Sequence, residues 1–85
     1  MFYTYVLYSE LDQKLYLGYT EDIKRRKKEH DDGYVKSTKH RRPLHLIYFE
    51  ACLTNTDALR REKYFKTHYG RMFLKKRLKD YFESL

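Results

Sequence analysis

Apolar and polar side chains alternate from the first residues of the chain. Over Phe2 to Tyr8 this turns Tyr3, Tyr5 and Leu7 to one face and Thr4, Val6 and Tyr8 to the other, the pattern of a β-strand. Ser9 to Lys14 is a polar connection short enough for an antiparallel hairpin. Leu15-Tyr16-Leu17-Gly18-Tyr19 then reads as a second strand, because aromatic and branched residues suit a pleated surface. A third strand is predicted over His45 to Ala51, dominated by Leu46, Ile47, Tyr48 and Phe49, with Pro43 marking its boundary.

Between the second and third strands the pattern becomes helical. A helix is predicted from about Glu21 to His30, with Thr20 as its cap and Glu21 and Asp22 in the first turn, where acidic groups favour the macrodipole. Ile23 is its only strongly apolar residue, so its charged side chains face solvent or ligand. Asp31-Asp32-Gly33 ends it, and Tyr34 to Arg42 forms a long basic connection of the kind that is often functional in a small domain. A second helix begins near Thr54 to Thr56, has Asp57 close to its first turn and ends at Gly70. A final helix carries Leu74, Leu78, Tyr81 and Leu85 as an apolar row for core packing or a dimer contact, with Lys75, Lys76 and Lys79 outside it. The elements describe one α/β domain over residues 1–85: a small, mainly antiparallel three-stranded sheet packed by about three helices.

Composition narrows the partners. The chain is 41% hydrophobic, with ten tyrosines and five phenylalanines, which supports a modest core and argues against disorder. Its net charge of +7 points to a polyanionic partner, although charge speaks to association and not to fold. A solvated lysine face is the bland alternative. The clustering of cations over Lys24 to Lys28 and Lys36 to Arg42 favours nucleic acid. The single Cys52 excludes an intramolecular disulfide and a cysteine zinc cluster, and at the end of an apolar strand it reads as a buried inert thiol. No apolar run is long enough to span a bilayer, and strand-like sequence begins at Phe2 in place of a signal peptide. A cytoplasmic, reducing location is therefore expected.

Several positions carry candidate chemistry. A strand, a glycine and a helix N-terminus in succession make a place where phosphate oxygens approach backbone N–H groups. Arg26 and His30 share a face of the following helix. Tyr5 and Tyr16 are on neighbouring strands and reach the same face, and the missing side chain at Gly18 leaves space beside the Tyr16 ring for a backbone or ligand. In the second helix, Ala58, Glu62, Phe65 and Tyr69 fall on one side, which puts a carboxylate in the stripe that faces the sheet. A buried carboxylate is costly unless it is paired or binds a cation; spacing alone leaves a salt bridge to an arginine and a metal ligand equally open.

Taken in order, these residues resemble the GIY-YIG nuclease family over nearly the whole chain. Tyr3-Thr4-Tyr5 matches the family's first tripeptide, Tyr16-Leu17-Gly18 its second, Arg26 its arginine, His30 the following histidine and Glu62 its metal-binding glutamate. Arg41-Arg42-Pro43-Leu44 and Ala58-Leu59-Arg60-Arg61-Glu62-Lys63 look like the small stand-alone members related to the excinuclease C nuclease domain. Each tripeptide alone is a weak signal, whereas five positions in the right order are specific. Three positions depart from the pattern: Tyr3 replaces a glycine, Tyr19 stands where excinuclease-type members place a lysine, and Leu74 lies near the position of a frequent asparagine.

The resemblance implies a metal-dependent endonuclease-like protein that hydrolyses phosphodiester bonds in DNA, branched or damaged DNA included. A motif tyrosine would orient or deprotonate the attacking water; Tyr16 is favoured because Gly18 opens its surroundings, with Tyr5 in a supporting hydrogen-bonding role. A free phenol, with a pKa near 10, is a poor base until cations favour phenolate. Arg26 would hold the scissile phosphate, and His30 would donate to it or assist proton transfer. Glu62 would bind magnesium, with manganese as the alternative, most of the remaining ligands being waters and substrate phosphate; zinc is disfavoured because the four histidines show no paired spacing. Gly18, Lys36, Thr38, Lys39, His40, Arg41 and Arg42 are the expected nucleic-acid-binding residues, and contacts of this kind position the strand without reading sequence. One site per chain cannot cut two strands without rebinding or dimerisation, so a homodimer or protein partner joins DNA among the expected partners. Two rival readings stay open: a nucleic-acid-binding module of the same fold without turnover, and an interaction domain that docks an acidic protein. Binding without metal-dependent cleavage would mark the first, and failure to bind nucleic acid the second.

Overall fold

The computed structural model describes all 85 residues. Three strands, β1 (Phe2–Ser9), β2 (Leu15–Thr20) and β3 (Leu44–Cys52), form one antiparallel sheet in the order β2-β1-β3. The helices are α1 (Ile23–Asp31), α2 (Asn55–Phe65), α3 (His68–Arg77) and the short α4 (Lys79–Glu83), and one 3-10 turn spans Lys39–Arg41. No helix is long and apolar enough to cross a membrane.

The two faces of β1 carry two cores, as its alternation requires. Val6 packs with Leu17, Phe65 and Leu74 beneath α2 and α3, while Tyr5, Leu7 and Leu44 pack on the other face with Tyr16, Ile23 and Leu46. Burial of such side chains contributes roughly 1.5–3 kcal/mol each. Tyr5 lies opposite Gly18 of β2 and Phe49 of β3, which fixes where its ring stands. The register with β3 shifts between Val6 and Leu7.

A two-pronged ion pair ties α2 to β3. Arg61 donates from Nε and Nη2 to the two carboxylate oxygens of Glu50, each at 2.8 Å, and its guanidinium lies over the rings of Tyr64, Phe65 and Phe73. Arg61 holds the Glu50 carboxyl below its ordinary range, so the pair stays charged.

The element boundaries differ from expectation where local hydrogen bonds decide them. The cap of α1 is Asp22, whose side chain accepts from the Arg25 N–H at 3.0 Å, and Thr20 instead closes a turn with Asp22. The first turn of α1 therefore contains no acidic residue, and a carboxylate already occupies its N-terminus. The helix expected to run to Gly70 breaks at Lys66 and restarts with Thr67 as a new cap. Gly70 is the point of closest approach between α2 and α3: a Cβ there would overlap the Tyr64 carbonyl oxygen and the Phe65 Cα. The expected apolar row is divided between α3 and α4, with Leu74 buried and Leu85 exposed. Cys52 is a free thiol, partly exposed and not buried.

Candidate active site

The site is built on the face of β1 that carries Tyr5. A Cβ at Gly18 would fall within the Tyr5 phenol, so the glycine makes room for this ring. The space expected beside Tyr16 for a ligand is filled by Tyr5, and Gly18 acts as its seat. The phenol is 2% exposed, and burial above all pushes its pKa up to about 12, against the lowering influence of Arg26. Tyr5 therefore stays protonated at neutral pH and serves as a hydrogen-bonding group, not a base.

His30 completes the buried part. It is the one buried residue of α1, and both ring nitrogens are occupied: Nε2 lies 2.8 Å from the Tyr5 hydroxyl and Nδ1 lies 2.7 Å from the Thr38 hydroxyl. Burial first, and the Arg26 charge second, lower its pKa to about 4. The imidazole is neutral at physiological pH, and its burial anchors an otherwise charged helix. Thr38, expected to touch nucleic acid, is fully buried and positions His30 instead.

Tyr16 and Arg26 form the accessible part. The Tyr16 ring is partly exposed, edge-on to His30 at 5.2 Å and tilted against Tyr5 at 6.4 Å between centroids. Ser37 Oγ stands 3.5 Å from its hydroxyl. The Arg26 guanidinium donates to Glu29 at 3.1 Å, and its pKa is raised chiefly by the Tyr5 hydroxyl, with Glu29 adding to the effect. The short hydrogen bond of the phenol is the one to His30, and Arg26 acts from beside it.

Glu62 comes from α2, where Ala58 and Phe65 of the same expected stripe are fully buried. Its side chain is 22% exposed, at the margin of the core, and meets Lys66 at 3.7 Å. The expected alternative of an arginine partner belongs to Glu50, not to Glu62. Tyr69, placed on the same stripe by periodicity, is 73% exposed because the helix ends before it. The Glu62 charge contributes to raising the Tyr5 pKa, so the carboxylate is felt at the site. A half-buried carboxylate whose one ion pair is long suits a hard cation completed by water and phosphate oxygens. No group of three or more His, Cys, Asp or Glu side chains converges in the molecule, so a cation at Glu62 would take most of its ligands from water and substrate.

The basic connection divides into two groups. Lys36, Lys39 and His40 are exposed and free to meet a polyanion. Arg41 is not: it pairs with Asp12 at 2.6 Å and donates to the Lys14 and Leu15 carbonyls, bracing the 3-10 turn against the β1–β2 connection. Arg42 donates to the Lys39 and Asp31 carbonyls and closes the end of α1. The cations of α1 are also largely committed, since Arg25 and Arg26 pair with Glu29, Lys27 with Asp31 and Lys28 with Asp32. Glu29 and Ser37 escaped the sequence reading. The three-residue spacing from Arg26 to Glu29 was a signal for the first; nothing local points to the second.

The chain is similar to known proteins in sequence and in fold. The GIY-YIG catalytic domain family matches residues 1–77. A UPF0213 protein of Staphylococcus aureus strain Mu3 is 45% identical over 58 residues, 67% of this chain and 71% of the relative. Those of strains N315 and USA300 match to the same extent, 45% over 58 residues. The solution structure of the UPF0213 protein BH0048 from Bacillus halodurans superposes with a TM-score of 0.54 at 33% identity, covering 87% of this chain and 82% of that one.

Proposed function

Because the chain belongs to the GIY-YIG catalytic domain family, we propose that it is a metal-dependent endonuclease that hydrolyses phosphodiester bonds in DNA. The observation that carries this reading is the division of labour between two phenols. Tyr5 is buried and bonded to a neutral imidazole, whereas Tyr16, edge-on to the same imidazole, reaches the open side.

Arg26 binds the scissile phosphate by charge-assisted hydrogen bonds, exchanging part of its contact with Glu29 for the substrate oxygens. The Tyr16 hydroxyl orients the attacking water from the accessible side. Tyr5 donates to a phosphate oxygen, and His30, neutral above about pH 4, holds the phenol in place through Nε2. Magnesium or manganese held by Glu62 would neutralise charge on the phosphate and the leaving oxygen. Lys36, Lys39 and His40 contact the backbone near the site. The natural setting of this chemistry is the cytoplasm, with DNA as the partner.

The Arg26–Glu29 pair favours a second reading, a nucleic-acid-binding module of the same fold whose phosphate ligand is withheld. One assay separates the two. Native protein and Tyr16→Phe are incubated with single-stranded, duplex, flapped and branched DNA, with and without magnesium or manganese. Metal-dependent nicking that falls about 10²–10⁴-fold in Tyr16→Phe is the expected result. Binding without nicking on any substrate would establish the module.

A further inference from the structure

Most of the uncompensated positive charge of this protein lies away from the candidate active site. Over α1, five cations face Glu29, Asp31 and Asp32, and four of the five are paired. Helix α3 carries Arg71, Lys75, Lys76 and Arg77 with no acidic residue. Arg71 and Lys75, four residues apart, share a face, and Lys79 follows across the α3–α4 junction. These three and Lys14 of the β1–β2 connection line one groove of ≈ 1490 Å³, with the partly exposed Phe82 ring in its wall. None of the four cations has an ion-pair partner. The acids on the same groove are mostly engaged, Asp12 by Arg41 and Glu10 by His45, which leaves Glu83.

We infer that this groove binds a single strand of DNA and carries the flank of the strand that enters the active site, an inference that rests on the nucleic-acid half of the proposed function. The groove pairs a row of unneutralised cations with an aromatic ring, the combination that tracks phosphates and stacks an unpaired base. A duplex keeps its base faces stacked inside and has no use for the ring. The two sites are also adjacent in the chain. Lys14 and Leu15 line the groove, and Tyr16 on the next pleat faces the active site, so the backbones of Lys14 and Tyr16 are about 7 Å apart along the chain. A strand that wraps the β2 edge meets both.

The test is fluorescence anisotropy of the full chain with a labelled oligothymidylate of about 16 nucleotides, the upper end of single-strand site sizes. Metal-free buffer prevents cleavage, and salt is titrated. Lys75→Ala/Lys79→Ala should weaken binding tenfold or more at low salt and flatten the slope of log K against log salt by about 1.4, or 0.7 per cation removed. Lys63→Ala/Lys76→Ala removes the same charge from exposed positions outside the groove and should leave that slope unchanged. Phe82→Leu, which keeps an apolar side chain for packing, should weaken binding by roughly tenfold through lost stacking. Equal losses in the two lysine pairs, or none in the groove pair, would overturn the inference, as would a groove effect seen only with blunt duplex. Cleavage by the native chain that Tyr16→Phe abolishes, together with a silent groove pair, would sink the groove and leave the active site standing. No binding of any DNA by the native chain would remove both.

Discussion

The imidazole of His30 is hydrogen-bonded to the Tyr5 hydroxyl at 2.8 Å inside the core. A neutral ring has one N–H and one bare nitrogen, so the chain Tyr5–His30–Thr38 runs in a single direction. In the mechanism proposed above, the buried Thr38 hydroxyl donates its proton to Nδ1. Nε2–H then donates to the Tyr5 oxygen, and the phenol proton is left to point at the site. Thr38, a residue that touches no substrate, thereby sets the hydrogen-bonding direction of Tyr5.

Thr38→Val keeps the shape and removes the hydroxyl. It should destabilise the protein by about 1–3 kcal/mol, the cost of an unpaired buried nitrogen, and lower cleavage while the salt dependence of DNA binding stays native. Thr38→Ser should restore both properties. Thermal melts and cleavage assays on the two variants check this.

Acid should unfold the protein through His30. Its folded pKa, about 4, lies below the ordinary value of 6.5, so the unfolded chain takes up the proton first as pH falls. The stability that the neutral ring supports is fully present above pH 6.5 and is lost as pH falls through 4, on the order of 3 kcal/mol in all. Urea midpoints between pH 7 and pH 4 should fall accordingly. In His30→Gln, which cannot charge, this part of the pH dependence should disappear.

Gly18→Ala tests the seat of Tyr5. The added methyl must displace the phenol, and overpacking of this kind costs typically 1–3 kcal/mol. Cleavage should fall more than DNA affinity, because Tyr5 and His30 move while the exposed lysines do not. Native cleavage with native stability would show that the ring yields freely.

Glu62 and Glu50 should behave oppositely. Glu62→Gln should melt like the native protein in metal-free buffer, bind DNA at least as well, fail to cleave and lose the thermal stabilisation expected from magnesium or manganese. Glu50→Gln weakens the partner of Arg61 and should lower stability by about 1–3 kcal/mol with or without metal. Calorimetry of both variants with and without divalent cation makes the comparison. Strong destabilisation by Glu62→Gln without metal, and no metal response in the native protein, would assign Glu62 to structure.

Arg41 and Lys39 separate bracing from binding. Arg41→Ala breaks the contact with Asp12 and the β1–β2 connection and should lower the melting temperature with DNA affinity near native. Lys39→Ala, at an exposed position, should do the reverse.

The alternation of Phe2 to Tyr8 and of Leu15 to Tyr19 was sufficient by itself to specify two strands, their faces and a hairpin, because side-chain period is a local property of an extended chain. The motif residues, taken in order, likewise carried a resemblance to the GIY-YIG family, which matches residues 1–77. What sequence could not decide was which charged and polar groups are already spent. Arg41 and Lys39 look alike in the basic run, yet only folding brings Asp12 to Arg41. Thr38 reads as one more polar loop residue until the fold buries it against His30. Gly18 reads in the sequence as an open space, and the register of β1 fills that space with Tyr5. The break at Lys66 depends on the Thr67 cap and on the close crossing of α2 and α3 at Gly70, a contact between helices. Each of these is settled by partners distant along the chain or by burial, and neither is a property of a sequence window.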